Sequence, residues 1–150
     1  MRTFMATLLL ASVFTIAGAS NEQTGSENMN TLIEKLQTLA NTKKHNFMSI
    51  EVEGGDAIIQ VIRQNKGSLR GFLLMVAFYP SNEDPSILFP RIGIDVPERF
   101  RLTQWEPDTF VEYSITEPVM SEIALFIDQV FKKYFKAGNE YKPIITFDTM

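Results

Sequence analysis

The side chains that most often do chemistry are thinly spread in this sequence. Its 150 residues include one histidine, His45, and no cysteine. A nucleophile needs a base held beside it, and a histidine metal site needs further ligands; the residues around His45 supply neither. His45 follows a helical segment, beside Lys43 and Lys44, and is expected to interact with that helix's last carbonyls. No Gly-x-Ser-x-Gly elbow occurs, so the strained turn that presents a hydrolase serine has no counterpart. Gly54-Gly55-Asp56 has glycine's freedom for a hairpin turn. It is too short for a phosphate-cradling loop and has no helix after it. Asn82, Glu83, Asp84, Asp95 and Glu98 carry oxygen ligands of the kind calcium takes, at a spacing unlike an EF-hand; solvated loop charge is their expected role. Glycosidase carboxylates pair in space rather than in sequence, and no spacing here singles out a pair. Without cysteine, thiol, zinc-thiolate and redox chemistry drop out. The expectation is a chain with no catalytic residue, cofactor or metal.

Aromatic residues are the remaining candidates. There are 12 Phe, 4 Tyr and a single Trp, more than two helices and a sheet need for packing. A surplus of this kind can form an exposed apolar groove, which marks a partner site. Trp105 stands just before a turn, where an indole anchors the core edge or lines a binding surface. Trp105 and Tyr113, near and within one hairpin, are the candidate partner-binding residues.

The N-terminus reads as an address rather than as structure. Arg2 is the only charge before Ser20, an apolar run over residues 4–16 follows it, and Ala17-Gly18-Ala19 gives a small-x-small site. These are the three parts of a cleavable secretory signal. A membrane span needs about 20 apolar residues, and here the polar residues 20–28 follow too soon, so no stable membrane anchor is expected after cleavage. Ala17 and Ala19 would face the peptidase, and Ser20 would begin a mature chain of 131 of the 150 residues. That is one domain's worth and enough to build a core without disulfides. The mature chain would hold 13 basic and 18 acidic residues, with the basic ones scattered. Nucleic-acid binders usually carry a basic patch, so nucleic acid is excluded as the expected partner. Periplasmic or secreted location follows.

The elements that must position any site are legible from periodicity. Residues 20–30 are polar and aperiodic, a disordered lead-in to a single domain over residues 31–150. Thr31 and Glu34 have capping-box spacing, and Leu32, Leu36 and Leu39 repeat at helical spacing over residues 31–43. Met48, Ile50 and Val52 then alternate with polar residues as a half-buried strand. Residues 57–64 are the return strand, and Asn65-Lys66-Gly67-Ser68 turns the chain again. Residues 69–79 are apolar on both faces and belong mid-sheet. Residues 87–97 are ambiguous, although alternation over residues 91–96 fits a short edge strand. Residues 99–105 and 109–115 flank the turn Glu106-Pro107-Asp108; Phe100, Leu102 and Gln104 would share one face. A long C-terminal helix has Pro118 in its first turn, a broad stripe through Met120, Ile123, Ile127, Val130 and Tyr134, and Gly138 as its stop. A strand over residues 141–148 closes the chain. Grouped strands argue for an α+β fold: an antiparallel sheet of five to six strands with the two helices on one face.

This order resembles YbjN-like proteins and type III secretion chaperones. The matching residues are Phe47-Met48-Ser49-Ile50-Glu51, Ile58-Ile59-Gln60-Val61, Phe72-Leu73-Leu74 leading to Pro80-Ser81-Asn82, and the run from Trp105 to Tyr113, with the helix over residues 123–135. The resemblance implies a chaperone-like fold that binds peptide or protein segments and transfers no catalytic residues. Two functional expectations result. The first is an exported, non-enzymatic module that recognises a peptide or protein segment. The second is an exported immunity or inhibitor protein that blocks a toxin or hydrolase, using a protruding acidic loop at residues 82–85. The signal itself makes a direct forecast. N-terminal sequencing of the exported protein should read from Ser20, and a chain that keeps Met1 in the membrane fraction would contradict it.

Overall fold

A computed structural model describes residues 14–66 and 69–150, with side chains from residue 27 onward except at 66 and 69. The signal's basic start and most of its apolar run, and the centre of the 65–68 turn, lie outside the described residues. The described chain forms α1 (Phe14–Asn41), β1 (Phe47–Val52), β2 (Ile58–Lys66), β3 (Leu69–Ala77), α2 (Pro85–Arg91), β4 (Phe100–Glu106), β5 (Phe110–Thr116), α3 (Met120–Gln129) and β6 (Pro143–Asp148). The strands make one six-stranded sheet in the order β4-β5-β3-β2-β1-β6, with every neighbouring pair antiparallel. This is the expected α+β architecture.

Side-chain alternation sets its layering. Along β3 and just past it, Phe72, Leu74, Val76 and Phe78 are all buried. Met48 and Ile50 of β1, Ile59 and Val61 of β2, and Val111, Tyr113 and Ile115 of β5 join them on the same face. The helices supply the opposing layer. Leu32, Leu36 and Leu39 of α1 and Ile123, Phe126 and Ile127 of α3 are each at most 1% exposed. Burying one such side chain stabilises by about 1.5–3 kcal/mol, so this interface dominates the fold's energy.

Several boundaries differ from expectation, each for a local reason. Residues 20–30 are helical, because α1 starts at Phe14 rather than at Thr31. Its described part is docked before Thr31: Asn28 is buried and bonds the Tyr141 carbonyl at 2.7 Å, and Met29 packs on the core. The ambiguous residues 87–97 form the second half of α2 and its exit rather than an edge strand. Asp84 accepts from Ser86 N–H at 2.8 Å as N-cap, and Pro85 opens the helix. Gly93 stops it at φ 81°, where its own N–H reaches Pro90 and the Ile94 N–H reaches Phe89 at 2.8 Å. These paired backward bonds are a Schellman stop, which needs a left-handed residue. The C-terminal helix is shorter than expected. Its 10 α-helical residues run on into a five-residue π turn, Val130–Tyr134. Lys136, not Gly138, is the first left-handed residue after it, at φ 54°.

The core stripe of α3 can be tested by moving one charge. Ile127 is fully buried, whereas Leu125 on the same helix is 48% exposed. Ile127→Asp should lower stability by at least about 3 kcal/mol through lost burial and an unpaired charge, and Leu125→Asp by about 0.5 kcal/mol. Equal melting temperatures for the two variants would put the stripe on the wrong face.

Candidate functional site

Among the described residues, one face of the sheet carries no helix. On it, cross-strand register builds rows of side chains across the strands. Phe47, Ile62 and Leu73 form an apolar row ending at Ser114 of β5. The next row is Ser49, Gln60, Met75 and Glu112, and in the row beyond it Ala77 pairs with Phe110. Of these residues only Ser49 is buried; the others are half-buried. A covered sheet face would show the near-zero exposures of the helix side, so this face is open to solvent. Leu73 and Met75 are the half of the doubly apolar strand that no helix takes up.

The two aromatic candidates lie on the opposite, helix-facing side. A bulge between Leu102 and Gln104 shifts the register of β4 against β5. An extra residue in one strand reverses the face of everything after it. Phe100 and Leu102 therefore share their side with Trp105 rather than with Gln104, which stands opposite Glu112. Trp105 is half-buried, edge-on to Phe78 at 6.4 Å, with its Nε1 buried and unpartnered; it packs at the core margin. Tyr113 is 3% exposed, and its ring lies 5.9 Å from Phe100 and 5.7 Å from Phe126. It reaches outward only as a lining residue of a cavity of about 310 Å3 beside Leu102 and Val96. Tyr113 is thus a core residue whose ring is turned away from the surface except at that cavity.

His45 does not serve the end of α1. Its ring lies 6.1 Å from Phe147, and its Nδ1 is buried without a partner. The helix's last carbonyls, Leu39 O at 2.8 Å and Thr42 O, accept instead from Arg63 Nη1 of β2. A lone arginine within a strand gives no sequence signal for such a long-range cap. The acids of residues 82–85 are likewise occupied: Glu83 pairs with Arg91, and Asp84 caps α2. Hydrogen bonds from Ser86 hold the Asp84 carboxyl below its ordinary pKa. Among the described residues no group of three or more His, Asp or Glu side chains is close enough to share a metal ion. No described helix is long and apolar enough to cross a membrane.

Two polar features escaped the sequence. Asp128, 5% exposed, accepts from the Tyr141 hydroxyl at 2.7 Å and pairs with Lys132 at 2.8 Å. The spacing of Asp128 and Lys132 fits a helical ion pair, but nothing in sequence joins them to Tyr141 or Asn28. The second is a cavity of about 410 Å3 at the end of α1, with Arg63 and Arg70 in its wall. Comparison with family models, with curated proteins and with solved structures found no match. The class that geometry defines is an α+β domain with a one-sided, open-faced sheet.

The buried phenols give a pH signature. Burial, then the charge of Asp84, raises the pKa of Tyr113; burial, then the bond and charge of Asp128, raises that of Tyr141. A phenol whose pKa is raised by folding contributes stability that is fully present below its unfolded value, about 10, and lost above it. The melting temperature should therefore fall as pH rises past about 10, and Tyr113→Phe, which keeps the ring, should flatten that fall. Tyr113→Ala should cost about 3–5 kcal/mol at neutral pH. An unaltered alkaline profile in Tyr113→Phe would contradict the burial of the hydroxyl.

Proposed function

We propose that this chain is an exported, non-enzymatic binding module of chaperone-like type, which takes an extended peptide or protein segment on the open face of its sheet. The observation that carries this reading is the apolar row Phe47-Ile62-Leu73, extended by Met75, on a face that no helix covers. Half-buried aliphatic side chains on a flat surface lose water readily when a partner lies over them, and contiguous patches of this kind mark interaction sites. The reading also rests on the sequence resemblance to YbjN-like proteins and secretion chaperones. An inhibitor would be expected to present the acidic loop at residues 82–85, yet Glu83 and Asp84 are engaged within the fold.

Affinity capture from periplasmic extract tests the surface. Ile62→Lys and Leu73→Lys together should reduce captured partner by about tenfold or more, the loss of a binding hot spot. Trp105→Phe should leave capture unchanged. Undiminished capture by a folded Ile62→Lys, Leu73→Lys protein would remove the open face from consideration.

A further inference from the structure

On the helix side, away from the open face, a cavity of about 410 Å3 lies where the C-terminal end of α1 meets the facing ends of β2 and β3 and the start of α3. Its volume falls in the range of small-ligand pockets, about 300–1,000 Å3. Phe72, Ala40 and Met120 line it with apolar surface, and Phe72 is 2% exposed. Arg63, Arg70 and Glu117 bring the charges. Among the described residues neither arginine has a carboxylate within ion-pair distance. Arg63 is fixed through Nη1 on the Leu39 and Thr42 carbonyls, and a guanidinium carries five N–H donors, so its remaining donors are held in place. Arg70 is exposed. The chain as a whole has a net charge of −4, yet here two guanidinium groups meet one carboxylate, leaving an excess of one positive charge beside an apolar wall. That combination matches a monoanion attached to an apolar body, and the planar guanidinium fork suits a carboxylate.

We propose that this cavity binds a carboxylate carried on a short apolar group. Arg70 closes on the carboxylate, Arg63 supplies the fixed charge behind it, and the apolar group lies against Phe72 and Met120. Glu117 limits the site to a single negative charge. The chemistry has two sources, a peptide C-terminus ending in an aliphatic residue or a free alkanoic acid.

Titration of the exported protein with acetyl-alanyl-leucine, its C-terminal amide and hexanoate, followed by NMR, separates them. The free-acid peptide should bind about tenfold or more tightly than the amide, with shifts centred on Phe72 and Met120. Arg70→Gln should abolish that preference without changing the melting temperature, and Glu117→Gln should tighten binding several-fold. Hexanoate binding as well as the peptide would support the free acid as sufficient; binding of the peptide acid alone would support a chain terminus. Equal binding of acid and amide, or no shift at Phe72 and Met120 with any probe at millimolar concentration, would overturn the proposal. None of these readouts involves the open face, so its fate is decided separately.

Discussion

A carboxylate taken out of water must be paired, because its desolvation costs several kcal/mol. Asp128 is paired twice, by the Tyr141 hydroxyl at 2.7 Å and by Lys132 at 2.8 Å. Tyr141 in turn gives its carbonyl to Asn28 at 2.7 Å, and its ring stacks on Phe131 at 5.1 Å. One small network thus joins α1, α3 and the segment leading to β6. That segment has to return across the helix layer to reach β1, and the joint fixes where it crosses. From there β6 pairs along β1 from Pro143 to Asp148, turning Ile145 and Phe147 toward the core. Losing one partner of such a buried group costs about 3–5 kcal/mol, comparable to a whole small domain's margin. The helix layer and the sixth strand therefore stand or fall together.

Placing all of that on one side of the sheet has a consequence for the other side. Both helices that close the core, α1 and α3, pack against each other over the same face, and α2 sends Leu88 and Phe89 into the same core. Among the described residues none remains for the second face. A sheet open on one side normally shows polar residues there. This one shows Phe47, Ile62, Leu73 and Met75 alongside Gln60, Glu112 and Ser114. The polar residues keep the face soluble, while the apolar ones make its partial coverage favourable. That balance suits reversible contact better than a permanent subunit interface, which is more uniformly apolar.

Much of this was legible in the sequence because it rests on local period. The alternation of Met48 and Ile50, the turn at Gly54, and the stripe from Ile123 to Val130 each follow from spacing alone. Most of the departures share one cause: the deciding contact is far away in sequence. Trp105 changes face because of a bulge against β5, and a bulge exists only once two strands pair. Residues 20–30 look aperiodic, yet Asn28 is held by Tyr141, 113 residues later. Arg63 caps α1 across 24 residues, to the Leu39 carbonyl, which leaves His45 no carbonyl there to serve. In residues 85–97 the cap at Asp84-Pro85 and the stop at Gly93 outweigh a short alternation, and both are local signals.

Arg63 also shows how a structural task can create a reactive-looking surface. The C-terminal end of a helix carries orphan carbonyls and partial negative charge, and a cation from β2 satisfies both at the end of α1. Satisfying them occupies one nitrogen of the guanidinium and leaves the charge at the edge of a cavity whose apolar wall belongs to the core. Arg70 lies at the near end of β3, paired in register with Asn65, which places it beside the same opening. The charge excess there is therefore a by-product of how α1 is terminated, made persistent because removing Arg63 would also uncap the helix. A site whose fixed charge is needed for the fold is preorganised without further cost, and preorganisation is what lets a small pocket hold a singly charged ligand in competition with water.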